Sequence, residues 1–209
     1  MVPAMTTNRP LLGRTGMTQV ALLLGFIAVV AAVVAVAAPL YRLAQSGGYV
    51  EVHRGDVQAG VAEHLADGVR AVSSGEMVTL AVDELPTGLR VLTELSTSLT
   101  ALAVAVGAWL LARVISSIQD GRPFDRHNAR RLAAVAAAVV LGGTVAPMLD
   151  GFVNDLVVQA VEPVAPGSPL TAVVFEFRMA PLFVAVLLLA GAEAFRRGRE
   201  LADDVAGLV

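Results

Sequence analysis

Four stretches of this chain carry no charged side chain: Val20 to Leu40, Leu95 to Ala112, Leu132 to Leu149 and Met179 to Ala192. An α-helix needs about 20 mostly apolar residues to cross roughly 30 Å of hydrocarbon. The first run meets that length alone, and the second and third meet it with a flanking turn. The fourth is shorter, but Glu193 lies near an end and Ala194 and Phe195 extend it. No polar face covers any of the runs, which argues against surface helices of a water-soluble domain. Charged residues are 16% of 209, against about 25% in an ordinary soluble chain. The expectation is a mainly α, integral membrane fold: a four-transmembrane-helix bundle with a small extracytoplasmic β-sheet/αβ unit formed by the first and second outer segments. Residues 1–209 read as a single four-helix membrane domain, with helices at about 18–40, 86–119, 126–149 and 179–202. An outer insert falls at about 41–85 and a second outer segment at about 150–178.

All fifteen basic residues are arginines, and they are unevenly placed. The first, third and fifth polar segments hold ten arginines and six acids; the second and fourth hold five arginines and twelve acids. Arginine near helix ends marks the cytoplasmic side. The threading expected is therefore a multi-pass membrane protein with both termini cytoplasmic; the lysine-free, Ala- and Val-rich composition adds the impression of a bacterial chain and so of an inner membrane. A rival reading makes the first run a signal peptide cut near Ala37, but that run is longer than the usual signal core of about 7–15 residues.

The same threading explains "GRPFDRHNARRL", residues 121–132, where four arginines, an aspartate and a histidine interrupt the apolar runs. It is the short turn between the second and third spans. Gly121 can take the left-handed backbone that ends a helix. Pro123 keeps Arg122 extended and stops the second helix. Asp125 or Asn128 can accept the free N–H groups that open the third. Arg130 and Arg131 can snorkel to inner-leaflet headgroups.

Outside the spans, "YVEVHRGDV" (49–57), "MVTLAVDEL" (77–85) and "TAVVFEFRM" (171–179) alternate apolar and polar residues, the pattern of half-buried strands. "VQAGVAEHLADGVRAV" (57–72) fits a short amphipathic helix. Helix two, from about Pro86 to Ile118, would be roughly 50 Å long, with Arg90, Glu94, Ser96, Thr97, Ser98 and Thr100 on a stalk outside the bilayer and Arg90 and Glu94 as a weak surface pair. Ala134, Ala138 and Gly142 let helices approach closely. They favour packing within the chain over a homo-oligomer seam, and Gly142, Gly143 and Pro147 can bend the outer end of helix three.

Little chemistry is on offer. With no Cys there is no disulfide, thiolate metal site or cysteine nucleophile. His53, Asp56, Glu63, His64 and Asp67 lie close together but match no strict ligand spacing, and a solvated surface explains them better than a metal. The middles of the spans lack ionisable residues, which counts against a transport pathway. The arginines come without aromatic stacking residues, so direct nucleic-acid binding is not expected; attraction to anionic lipid is. No catalytic or nucleotide-binding motif occurs. The reading is a protein without enzymatic activity and without cofactor.

Gly121-Arg122-Pro123-Phe124, followed by Asn128 and Arg131-Leu132, and Phe195-Arg196-Arg197-Gly198-Arg199-Glu200-Leu201, followed by Asp203 and Asp204, resemble two motifs of a bacterial four-helix membrane family catalogued as domain-of-unknown-function number 2975. In that family a Gly-x-Pro-Phe turn precedes helix three and a Phe-x-x-Gly-x-x-Leu element closes helix four. Many members end in an acid-Leu-Thr-aliphatic tail, where this chain has Ala206-Gly207-Leu208-Val209. The resemblance implies a membrane sensor or anchor for a small helix-turn-helix transcriptional regulator. Gly121, Pro123, Phe124, Asn128, Arg131, Leu132, Phe195, Gly198, Glu200 and Leu201 are then the docking elements. Alternatively, both motifs lock the inner helix ends, with Phe124 under the bundle and a tail helix on the interface, its Leu201, Val205 and Leu208 facing down. A different function would be that of an accessory subunit of a transporter or envelope-stress system, acting through the outer unit.

Overall fold

The computed structural model describes residues 13–45, 47–54, 69–71, 77–161, 170–171 and 177–206. The chain is mainly helical. Helix α1 (Arg14–Leu43) is apolar on every side. Its least exposed stripe is Ala21, Leu24, Gly25, Ala28, Ala31, Ala35 and Ala38, recurring at helical spacing, while Leu22, Phe26, Val29 and Val33 point outward. Small side chains on that stripe let α1 lie close along its neighbour.

The second run is two helices, not one. A short α2 (Thr87–Leu92) is followed by α3 (Leu95–Gln119), with Thr93 and Glu94 between them. Two side chains account for the break. The Thr93 hydroxyl donates back to the Arg90 carbonyl at 2.8 Å, a bond that competes with regular helix. Glu94 is drawn aside by Arg42 at the end of α1, whose Nε donates to its carboxylate at 2.6 Å. The expected Arg90–Glu94 pair is therefore replaced: Arg90 donates to the Thr87 hydroxyl, and Glu94 ties α1 to the α2–α3 junction.

The third run is longer than expected. Helix α4 (Arg126–Val140) passes through a π-helical turn at Leu141–Val145 into α5 (Ala146–Val161), well beyond residue 149. The cause is local. Pro147 has no N–H to give, and the Ala146 N–H bonds to the Leu141 carbonyl instead of that of Gly142. The Gly142 carbonyl is left to a hydroxyl of α3, that of Thr100, at 3.2 Å. One turn away, Ser96 donates to the Ala146 carbonyl at 2.8 Å. Ser96 and Thr100 thus hold helices together rather than standing on a solvated stalk. Helix α6 (Ala180–Ala206) completes the set and continues past residue 202.

The strands form one antiparallel sheet in the order β2-β3-β1-β4, made of β1 (Gly48–Arg54), β2 (Val69–Ala71), β3 (Met77–Val82) and β4 (Leu170–Thr171). Gly48 faces Val82 and His53 faces Met77 in the central pair. The first and second expected strands are present, as β1 and β3. The expected helix over 57–72 is corrected at its end, where Val69–Ala71 pairs with β3 as a strand; residues 57–68 and 72 lie outside the described residues. "TAVVFEFRM" enters the sheet only through Thr171, since Phe177–Met179 is not strand and residues 172–176 lie outside the described residues.

The helices do not close into a bundle. Helix α1 packs on α3, α3 on α4, and α4 on α6, while α1 has no comparable contact with α4 or α6 among the described residues. The result is a concave row. Its hollow, about 600 Å³, lies between Leu24 and Ile27 of α1 and Pro181 and Val184 of α6, and is floored by small residues such as Ala103, Gly107, Ala138 and Gly142. Ala138 and Gly142 are buried, and a Cβ at Gly142 would sit 2.7 Å from that of Ala103. Ala134, the third member of that spacing, is exposed.

Candidate functional site

The arginine-rich turn is built from the backbone outward. At the end of α3, the Gly121 N–H bonds to the Ile118 carbonyl at 3.1 Å and the Arg122 N–H to the Ser117 carbonyl at 3.0 Å. This paired closure needs a left-handed residue between them, and Gly121 has φ +75°. Pro123 then prevents continuation. Asp125 caps α4, its carboxylate accepting the His127 N–H at 2.8 Å and lying 2.8 Å from the His127 ring Nδ1. Those two contacts, the backbone one first, hold the Asp125 carboxyl below its ordinary range.

Asn128 does not cap. It is fully buried, and its amide donates to the Ser117 hydroxyl and to the Pro123 carbonyl, each at 3.0 Å. Its carbonyl oxygen accepts from Arg131 at 3.0 Å. The Ser117 hydroxyl in turn donates to the Arg122 carbonyl at 2.8 Å. A helix end, a turn and a helix start are thereby tied to one side chain. Ser117 is a member of this network that the sequence pattern gave no sign of, because its role depends on a partner eleven residues away.

The two motifs meet. Phe124 lies against α6 where Gly198 leaves room; a Cβ there would collide with the Phe124 ring. The Phe124 and Phe195 ring centroids are 6.2 Å apart at 58°. Further along the same seam, Leu132 packs on Gly191, where a Cβ would be 3.0 Å away. Phe124, Phe195 and Gly198 thus form the joint between turn and tail, Leu132 packs further along the same seam, and Asn128 and Arg131 hold the turn itself. Glu200 is not in the joint: it pairs with Arg196 on the exposed face. Leu201 is 66% exposed and joins nothing here. The tail is the last turns of α6, not a separate helix, and the side chains of Val205 and Leu208 lie outside the described residues.

Around this joint the surface is ionic. Arg196 bonds Glu193 and Glu200, Arg197 bonds Glu193, and Arg199 bonds Asp203. Glu193 lies beyond the uncharged stretch of α6, and its carboxyl is held down to about 2, by Arg196 first and then Arg197. Between the first turns of α4 and this part of α6 is a hollow of about 540 Å³, lined by Arg126, His127, Arg130, Phe195, Arg196 and Arg199 among others. No group of three or more metal-ligating side chains occurs among the described residues. Of the acidic and imidazole cluster considered from sequence, the His53 side chain and all of Asp56, Glu63, His64 and Asp67 lie outside them.

A family model described as "Protein of unknown function (DUF2975)" matches residues 81–207, more than half of the chain and both motifs, but not α1 or β1. No curated protein and no solved structure matches the chain.

Proposed function

The chain belongs to the family of proteins of unknown function DUF2975, and on that premise we propose that it is a four-span protein of a bacterial inner membrane that anchors a small helix-turn-helix regulator at its arginine-rich face, without chemistry of its own. Three helical stretches, Thr15–Leu43, Thr87–Gln119 and Arg126–Val157, are long and apolar enough to cross a membrane. The continuous uncharged stretch of helix α6 runs only from Ala180 to Ala192, about 20 Å of helix. Yet its residues 181–198 lie along the π turn, α4 and the turn before it, from Pro181 at Gly143, through Gly191 at Leu132, to Gly198 at Phe124. A helix packed along that part of a spanning neighbour supports a fourth crossing. Both termini and residues 121–132 are then cytoplasmic, and the sheet is outside.

The observation that carries the anchoring role is the joint itself. Phe124 seated at Gly198 fixes the turn and the tail as one surface, so a partner meets preformed groups and loses little entropy in ordering them. That surface presents Arg126, His127 and Arg130 outward.

Two experiments test this reading. The chain has no Cys, so single cysteines report cleanly. Glu84→Cys should react with an impermeant maleimide on intact cells, and Arg122→Cys only after permeabilisation; the reverse pattern overturns the threading. The full-length protein in detergent should co-purify with a neighbouring small helix-turn-helix protein, and Phe124→Ala, which loosens the joint, should weaken that capture. No capture by the wild-type chain removes the anchoring role.

A further inference from the structure

We infer that the hollow between α4 and α6 is a binding site for the phosphate of an anionic phospholipid. Its wall is basic and its charges are unequally committed. Arg196 and Arg199 are bonded to Glu193, Glu200 and Asp203. The Asp125 carboxylate is occupied by the His127 backbone N–H and ring. Arg126 and Arg130 have no carboxylate partner among the described residues, and both side chains are exposed at the mouth of the hollow. They stand one turn apart on α4, so their guanidinium groups reach the same space. Paired forks of that kind match the oxygens of a phosphate.

The position selects the source of that phosphate. The hollow lies where the uncharged stretch of α6 gives way to Glu193 and Arg196, and where α4 emerges from the turn. In a membrane crossed as proposed above, that is headgroup depth. Phe195 and Ala129 supply an apolar part of the wall, suited to the glycerol end of a lipid and not to a hydrated free anion. Basic pockets between spanning helices on the cytoplasmic side are a recurrent means of holding anionic headgroups. The inference rests on the spanning part of the preceding reading; Arg126 and Arg130 also belong to the face proposed for the regulator, but the lipid measurement is made without it.

Full-length protein in a neutral detergent is titrated with a short-chain phosphatidylglycerol, and thermal unfolding and native mass spectra report binding. Phosphatidylcholine of the same chain length, inorganic phosphate and hexaglutamate are the parallel arms. Phosphatidylglycerol should bind and raise the unfolding midpoint, and phosphatidylcholine should not. The pair Arg126→Gln and Arg130→Gln should weaken binding by about 30-fold, from roughly a fivefold contribution per arginine. Arg122→Gln, outside the hollow and paired with Asp120, should leave it unchanged. If the double variant does not fold, Arg130→Gln alone carries the test with an expected loss of about fivefold. Equal phosphatidylglycerol binding by wild type and the arginine variants overturns the proposal. So does phosphate binding as tightly as the lipid, which would mark a free-anion site, or hexaglutamate binding as tightly, which would mark an acidic protein partner. Failure to capture a regulator leaves the lipid result standing. Reversed cysteine labelling removes the cytoplasmic premise without changing the lipid measurement.

Discussion

Asparagine is a poor residue for a helix interior, yet Asn128 sits in the first turn of α4 with no exposed surface. Its hydrogen-bond partners explain it, and they make its removal costly. Asn128→Ala leaves the Pro123 carbonyl and the Arg131 guanidinium short of a partner, and should lower stability by about 1–3 kcal/mol, measured as a fall in the unfolding midpoint in detergent. An unchanged midpoint would show that the amide is not in use. The joint makes a second prediction. Gly198→Ala forces the half-exposed Phe124 ring aside, which offsets the roughly 1 kcal/mol that alanine gains over glycine inside a helix, and Gly198→Ala combined with Phe124→Ala should be more stable than the two single changes added together by at least about 0.5 kcal/mol. Additive effects would mean that the two residues do not touch. Gly121 was legible in the sequence because a glycine before X-Pro at a helix end has few other uses, and φ +75° agrees. Between Asp125 and Asn128 the sequence left the cap open. The structure gives it to Asp125, since Asn128 is already one turn in, where its neighbours across the turn determine what it does. Those neighbours are a tertiary fact that spacing alone does not contain.

The elements follow the same division. The apolar runs located the long helices, because lack of charge over such a length is a composition signal that needs no partner to interpret. Interruptions in those helices were harder to read. The break at Thr93–Glu94 depends on Arg42, 52 residues away, and the polar residues expected on a stalk include two that bond across to the π turn and the first residue of α5. That turn was legible only as a tendency to bend, through Gly142, Gly143 and Pro147; its form depends on the hydroxyls that stabilise the carbonyls it frees. If the Thr100 hydroxyl holds the Gly142 carbonyl, Thr100→Val, which keeps the shape and removes the donor, should cost about 0.5–1.5 kcal/mol. Thr97 on the same helix supplies the control. Thr97→Val makes the same chemical change where the bonds to the π turn and the first residue of α5 come from Ser96 and Thr100 instead, and it should lower the unfolding midpoint less. Equal effects at positions 97 and 100 would remove the hydroxyl's special role.

At the scale of the molecule, the charge split between alternate segments was enough to propose a threading, because it is a property of the sequence alone. The arrangement of the helices was not legible: four apolar rods joined by turns can close into a bundle or stay in a row, and hydropathy is the same for both. The side-chain sizes on each face decide between them. Helix α1 meets α3 through its alanine stripe and turns its large residues outward, while α6 meets the π turn through Pro181, α4 through Gly191 and the turn before α4 through Gly198. Neither edge helix keeps a second small-residue face for the other, and the hollow between them stays open. In lipid that opening is tolerated, since hydrocarbon chains solvate Leu24, Ile27 and Val184 as well as a neighbouring helix would, and helix association there depends on close packing more than on burial. The two arrangements predict different cross-links. In the cysteine-free chain, cysteines replacing Leu132 and Gly191 should be joined by a short bifunctional thiol reagent, while cysteines replacing Ile27 and Val184, on opposite sides of the hollow, should not. In a closed bundle α1 and α6 would be neighbours, so efficient intramolecular joining of positions 27 and 184 in native membranes would overturn the row.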